Sequence, residues 1–313
     1  MNDLDFVAMQ NSTSVRPAAP PLPMRLARPA IHTLSALAPS LAARLAERLF
    51  LTPRRHRAPA RESTALATAR RTIVHVGDSR VTTWTWGHGP VVLLVHGWGG
   101  RGAQLAGFVE PLVASSCSVV TFDAPGHGTS PETQSSIVAF VDAIRAIDRA
   151  LGPMEGVIAH SIGAIAAARA LYEGRGAQAA VFIAPPADLV LHSHTLLEIL
   201  GFGRRARELM QARIERRLSV AWAALDVRSY AAAMSTPLLV VHDRDDNEVP
   251  WQDGAIIARA WPDAVFSTTG SLGHRRILRD PSVIRAVAAF VAERVRPEMA
   301  APAHDELTLL TPS

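Results

Sequence analysis

The stretch Val157-Ile158-Ala159-His160-Ser161-Ile162-Gly163-Ala164-Ile165-Ala166-Ala167-Ala168-Arg169-Ala170 decides how this chain folds. Its first three residues form a short apolar run, which reads as a buried strand. A helical pattern of small residues begins immediately after His160-Ser161. A strand that enters a helix without a loop must turn sharply, so Ser161 at the tip is expected in a strained backbone conformation. Ala159 and Gly163, two residues to either side, are small enough to fit beside such a turn. The spacing is that of G-x-S-x-G, with alanine replacing the first glycine. The turn would lift the Ser161 hydroxyl clear of the sheet, beside free N–H groups of the helix start that can stabilise an oxyanion. A strand–helix turn without chemistry fits the same residues, so the surrounding chain must decide.

Outward from this turn the same alternation repeats. Arg71–Val76 and Arg80–Trp86 alternate in polarity around Gly77-Asp78-Ser79, the pattern of a hairpin. Val91-Val92-Leu93-Leu94-Val95 is apolar on both faces, as a central parallel strand must be. Further strands are expected at Ser118–Phe122, Gly156–Ala159, Ala179–Ile183, Leu238–His242 and Ala264–Thr268. Helices are expected near 103–115, 136–151, 162–173, 252–260 and 281–294. This order implies an α/β fold with an open, mostly parallel sheet covered by helices on both faces. Residues that meet a ligand should follow the strand ends. Residues 186–234 break the alternation with helical, arginine-studded stretches such as Gly203–Val220, and read as a helical cap that shapes a pocket and excludes water. The core is thus expected over 70–185 and 235–297.

A chain of 313 residues suits one large α/β domain or two small ones. Every basic residue is arginine, which looks like coding bias rather than a nucleic-acid signature. The charge is uneven: residues 1–72 carry 11 Arg against 4 acids, and residues 73–313 carry 21 Arg against 24. A basic arm is therefore attached to a mildly acidic body, and no nucleic-acid partner is expected. Residues 1–29, rich in Pro, Ala and Ser, read as a disordered tail, and residues 298–313 as a C-terminal tail. Over 30–69 an amphipathic helical arm is expected, with Ile31, Leu34, Leu37, Leu41, Leu45 and Leu49 at helical spacing and Ser40 as a cap dividing two helices. Those leucines are expected to lie on the catalytic body; peripheral membrane contact through the basic arm is the competing reading. The single Cys117 forms no intramolecular disulfide and reads as a buried thiol. With no secretory apolar region and no membrane-length apolar run, a cytoplasmic location is expected.

A serine nucleophile needs a base to take its proton and a carboxylate to orient that base. The strand after the cap ends in His242-Asp243-Arg244-Asp245-Asp246-Asn247-Glu248-Val249-Pro250. Its crowded carboxylates repel one another unless some have defined partners. The last strand leads into Gly270-Ser271-Leu272-Gly273-His274, where a glycine-rich loop can aim His274 at neighbouring strand ends. Serine, acid and His274 would each stand on their own loop after a strand.

Residues 73–295 resemble the α/β-hydrolase superfamily, in its serine esterase and lipase-like branch. Four segments carry the likeness: His96-Gly97-Trp98-Gly99-Gly100, Asp123-Ala124-Pro125-Gly126-His127-Gly128-Thr129-Ser130, Ala159-His160-Ser161-Ile162-Gly163, and Asp246 to Pro250 followed by Gly273-His274. The resemblance implies an eight-stranded, mostly parallel sheet with a helical cap insertion. It implies Ser161 as nucleophile, His274 as base and Asp246 as acid, because the family's acid stands three residues before a Val-Pro like Val249-Pro250. Asp243 occupies a position where the family usually has glycine, which leaves Asp245 as the alternative acid. The oxyanion donors map to the backbone N–H groups of Trp98 and Ile162. Asp123 is similar to a residue that braces loops, and His96, His127 and His160 are read as structural. The expected reaction is cleavage of small or medium acyl esters through an acyl-enzyme, with no cofactor and no metal. A thioesterase, acyltransferase or perhydrolase would use the same triad, and a catalytically idle fold used for binding is the remaining alternative.

Overall fold

The computed structural model describes residues 22–174 and 176–295. Eight strands form one sheet: β1 (Arg70–Val76), β2 (Ser79–Trp86), β3 (Val91–Val95), β4 (Ser118–Phe122), β5 (Met154–His160), β6 (Ala179–Ile183), β7 (Leu238–Asp243) and β8 (Val265–Thr269). Their order across the sheet is β1-β2-β4-β3-β5-β6-β7-β8. The pairs β1/β2 and β2/β4 are antiparallel, and β4 through β8 pair in parallel. The central strands are buried on both faces, which explains why Val91–Val95 and Ala179–Ile183 read as continuous apolar runs.

Helices cover both faces of the sheet. Among the described residues they are α1 (Leu22–Leu37), α2 (Pro39–Leu51), α3 (Ala60–Leu66), α4 (Val109–Ala114), α5 (Ile137–Leu151), α6 (Ile162–Glu173), α7 (Leu189–Ile199), α8 (Arg204–Leu218), α9 (Trp251–Ala260), α10 (Gly273–Arg276) and α11 (Pro281–Arg294). The single helix expected over 103–115 is split, with a 3-10 segment at Gly102–Phe108 leading into α4. Ser136 caps α5 by accepting from Ala139 N–H at 3.1 Å. Small residues let α6 press against the sheet. A Cβ on Gly163 would lie 2.4 Å from the His96 carbonyl oxygen, so only glycine fits there. No described helix is long and apolar enough to cross a membrane. Cys117 is a buried free thiol whose pKa burial pushes up.

The amino-terminal segment differs from its expected form. Helix α1 starts at Leu22, within the part expected to be disordered; residues 1–21 and the expected tail over 298–313 lie outside the described residues. The break between α1 and α2 is made by Pro39 at the first helical turn, with Ala38 rather than Ser40 in the cap position. The arm docks through part of its expected stripe: Ile31 is buried and Leu34, Leu45 and Leu49 pack against the core. On α2 the buried residues are Ala42, Ala43, Ala46, Glu47 and Leu51, whereas Leu37 and Leu41 are exposed. Alanines permit close approach to α8, where Glu47 meets Arg213 at 2.6 Å and Arg217 at 3.5 Å.

Between β6 and β7, residues 186–234 carry α7, α8 and 3-10 turns at Trp222–Leu225, Val227–Ser229 and Ala231–Ala233. This insertion is tied back to the core. Asp253 at the start of α9 accepts from Ala187 N–H at 2.9 Å and lies 2.5 Å from His192 Nε2. Arg169 on α6 donates to the Ala224 carbonyl at 2.9 Å.

Candidate active site

Ser161 stands at the junction of β5 and α6 with φ 55° and ψ −127°. A side chain at positive φ is strained, and the strain is held by the hydrogen bond from Ser161 N–H to the Ile183 carbonyl at 2.9 Å. Ala159, in place of the first glycine, is fully buried between Val95 of β3 and Phe182 of β6. Its methyl group packs into the sheet core, so the turn tolerates it. Ile162 is the first residue of α6, and its N–H therefore has no acceptor within the helix.

The acid loop after β7 sorts its carboxylates. Asp246 is buried and its Oδ2 lies 2.7 Å from His274 Nδ1. Asp246 Oδ1 accepts from the N–H groups of Glu248 and Val249 at 2.8 and 2.9 Å. Burial would raise this carboxyl, but hydrogen bonds from His242 and His274, the His274 charge and the Val249 N–H outweigh it and hold Asp246 well below the ordinary carboxylate range. Asp243 accepts instead from Thr269 Oγ1 at 2.6 Å and from the N–H groups of Asp245, Leu272 and Gly273 at 3.0, 3.1 and 2.9 Å. It braces the loop that carries His274. Asp245 accepts from Ser271 N–H at 2.7 Å, and among the described residues it makes no hydrogen bond to the imidazole. Geometry thus pairs His274 with Asp246 and not with Asp245.

Because His274 Nδ1–H donates to Asp246, its Nε2 is left with a lone pair, the form a general base requires. The His274 loop is joined to the serine strand by His160, whose Nε2–H donates to the His274 carbonyl at 2.9 Å with the two rings 4.6 Å apart. His242 Nε2–H donates to the Val249 carbonyl at 3.1 Å and lies 3.4 Å from Asp246 Oδ2, a second support for the acid. Sequence reasoning assigned His160 no more than a structural place and did not single out His242. Their positions beside Ser161 and at the end of β7 were the available signals.

The loop after β3 closes over the serine. A Cβ on Gly97 would lie 3.0 Å from both Ser161 Cβ and His160 Nδ1, so the backbone leading to Trp98 runs directly against the turn. His96 Nδ1–H donates to the Gly97 carbonyl at 2.7 Å, and His96 Nε2 accepts from Ala124 N–H at 3.0 Å. These bonds require a neutral ring, and burial lowers its pKa to about 4. The neighbouring His127 is lowered to about 3, by burial first and then by His96. Asp123 accepts from Gly102 N–H at 2.9 Å and Thr129 N–H at 2.7 Å, so it braces two loops. Among the described residues no group of three or more His, Cys, Asp or Glu is arranged to hold a metal ion.

The eight-stranded, mostly parallel sheet flanked by helices is the fold of an α/β hydrolase. The family model of the alpha/beta hydrolase family matches residues 91–305, and the chain belongs to this family. A pimeloyl-[acyl-carrier protein] methyl ester esterase of Methylococcus capsulatus is 49% identical over 47 residues, 15% of this chain and 18% of that protein. The esterase Pf2001 of Pyrococcus furiosus has a similar structure, with TM-score 0.60 and 18% identity over 79% of this chain and all of that one. The thioesterase domain from the curacin biosynthetic pathway has TM-score 0.53 and 17% identity, covering 72% of this chain and 99% of its own.

Proposed function

We propose that this α/β hydrolase is a serine carboxylesterase acting on small or medium acyl esters. The observation that carries the reading is the 2.7 Å hydrogen bond from His274 Nδ1 to Asp246, on loops adjoining the strained Ser161 turn. In the proposed reaction His274 Nε2 takes the proton of Ser161 Oγ as that oxygen attacks the ester carbonyl. Asp246 fixes the imidazole tautomer and stabilises the imidazolium that forms. The N–H groups of Ile162 and Trp98 receive the oxyanion, and His274 then returns the proton to the leaving alkoxide. Water, deprotonated by the same imidazole, releases the acid and regenerates Ser161. Residues 186–234 act as the cap that limits water and shapes the acyl site. The short likeness to a methyl ester esterase supports acyl methyl esters as the first substrates to try.

A fluorophosphonate probe tests the proposal. It should label the wild-type protein on Ser161 and should not label Ser161→Ala. Failure to label either protein would instead support an idle fold. Comparison of p-nitrophenyl acetate, butyrate and octanoate with acyl-CoA distinguishes ester from thioester cleavage.

A further inference from the structure

The amino-terminal arm lies outside the residues matched by the family model, yet residues 50–62 run along the loop after β3. Phe50, at the end of α2, stacks on Trp98 with ring centroids 6.4 Å apart and tilts against Trp222 of the insertion at 5.6 Å. Trp98 also meets His127 edge-on at 5.1 Å. The Leu51 carbonyl accepts from Ser135 N–H at 2.8 Å. Arg55 donates to the carbonyls of Gly126 at 3.3 Å, Ser130 at 2.7 Å and Glu132. Arg101 donates to the His56 carbonyl at 3.3 Å and pairs with the buried Glu62.

We infer that this segment is a strap that holds the Trp98 loop in the position from which its N–H can serve an oxyanion, with Phe50 as the positioning residue. The inference rests on the proposed serine hydrolase reading. Trp98 would offer its backbone N–H to the reaction while its ring packs on Phe50 and His127. Without that contact the loop backbone can shift as a unit, and a displaced donor loses transition-state stabilisation rather than substrate affinity. Loss of Phe50 should therefore act on kcat.

The test compares Phe50→Ala, Phe50→Leu and Phe50→Tyr in the full chain, with kcat expressed per active site titrated by fluorophosphonate. Phe50→Ala is expected to lower kcat about 10- to 100-fold with KM little changed. Phe50→Tyr, which keeps the stacking ring, should restore most of it, and Phe50→Leu should not. If the wild type is labelled but Phe50→Ala retains full kcat per titrated site, the strap plays no part. The same holds if a lowered kcat is restored equally by leucine, which would indicate packing alone. A wild type that is neither labelled nor active refutes the hydrolase reading itself.

A separate observation carries a second inference. At 100° per residue, Leu22, Leu26 and Leu37 fall within about 60° of one another on α1. They are 65%, 73% and 81% exposed, while Ile31 on the opposite side is buried. Arg25, Arg28 and His32 are exposed along one flank of this stripe. Leu191 and Leu196 of α7 are exposed as well, and Gly201 beyond that helix packs on the Arg28 backbone. Residues 22–57 hold seven arginines against one acid. Apolar side chains facing outward beside a cationic flank complement an anionic bilayer surface. We propose that α1 docks the protein on such a surface.

Vesicles of phosphatidylcholine with and without phosphatidylglycerol provide the probe. The full chain should sediment with the anionic vesicles at least about tenfold more strongly, and raised salt should release it. Leu26→Glu with Leu37→Glu should abolish binding and leave hydrolysis of soluble esters intact. Equal sedimentation of this double variant, or none by the wild type, would overturn the inference. So would a dimer in solution that the same substitutions dissociate.

Discussion

His160, immediately before Ser161, donates its Nε2–H to the backbone carbonyl of His274 at 2.9 Å. This bond ties the loop that carries the base to the strand that carries the serine. Burial, then the proximity of His274, hold the His160 pKa well below its ordinary value, so the ring remains a neutral, directed donor. Removing that donor leaves a buried carbonyl unpaired and frees the base to drift. His160→Ala is expected to lower kcat about 100-fold, the scale of a misplaced catalytic group, with less effect on KM. His160→Gln, which retains a donor, should recover part of the loss in steady-state assays. Equal rates for the two variants would show that the bond does not position the base.

The three aspartates of the acid loop are expected to respond differently. Asp246→Asn should lower kcat by about 10⁴ while the protein stays folded, because an amide no longer enforces the imidazole tautomer. Asp245→Asn should leave activity near wild type, since its carboxylate receives only Ser271 N–H among the described contacts. Asp243→Asn removes the charge that gathers Thr269 Oγ1 and three backbone N–H groups. It should cost about 2 kcal/mol of stability in urea unfolding, the scale of hydrogen bonds to a charged group. A large loss of kcat in Asp245→Asn with Asp246→Asn active would reassign the acid.

Much of this arrangement was legible in the sequence because strand and helix leave different periods. Ser118–Phe122 and Ala179–Ile183 are bounded as expected, and Ser161, Asp246 and His274 all follow strand ends. The crowded carboxylates after β7 were recognised, but their division of labour depends on which N–H groups reach each one. That is a property of the folded loop. His160 and His242 bond to carbonyls of His274 and Val249, and a backbone acceptor leaves no mark in composition. Helix α1 extends into a Pro- and Ala-rich segment that resembles disorder. The leucine stripe of the arm was visible, but periodicity does not say which face has a partner. Alanines meet α8, and Leu37 and Leu41 are left outside.

The backbone of Ser161 gives a stability prediction independent of catalysis. At φ 55° and ψ −127° a Cβ is strained whether the residue is serine or alanine. Ser161→Gly removes that strain, partly offset by the greater freedom of glycine in the unfolded chain. The glycine variant should therefore exceed Ser161→Ala in stability by about 1 kcal/mol in urea unfolding. Equal stabilities would mean that the turn stores no strain at this residue.

The two buried histidines behind the Trp98 loop set the acid limit of the fold. Burial, as the largest cause, lowers His96 to about 4 and His127 to about 3, whereas both titrate near 6.5 in an unfolded chain. Between these limits the unfolded state binds more protons, so stability rises with pH and falls on acidification. From pH 7 to 5 each ring should cost about 2 kcal/mol. Asp246 acts in the same direction, because its folded-state pKa is also lowered and the unfolded chain again binds the extra proton. Its lowered pKa contributes stability above its unfolded value and loses it only at more acidic pH, below this window. His127→Asn should reduce the slope of stability against pH by about 1.4 kcal/mol per unit below pH 6, whatever its effect at neutrality. An unchanged slope would mean that His127 is already protonated in the folded protein, in conflict with its burial beside His96.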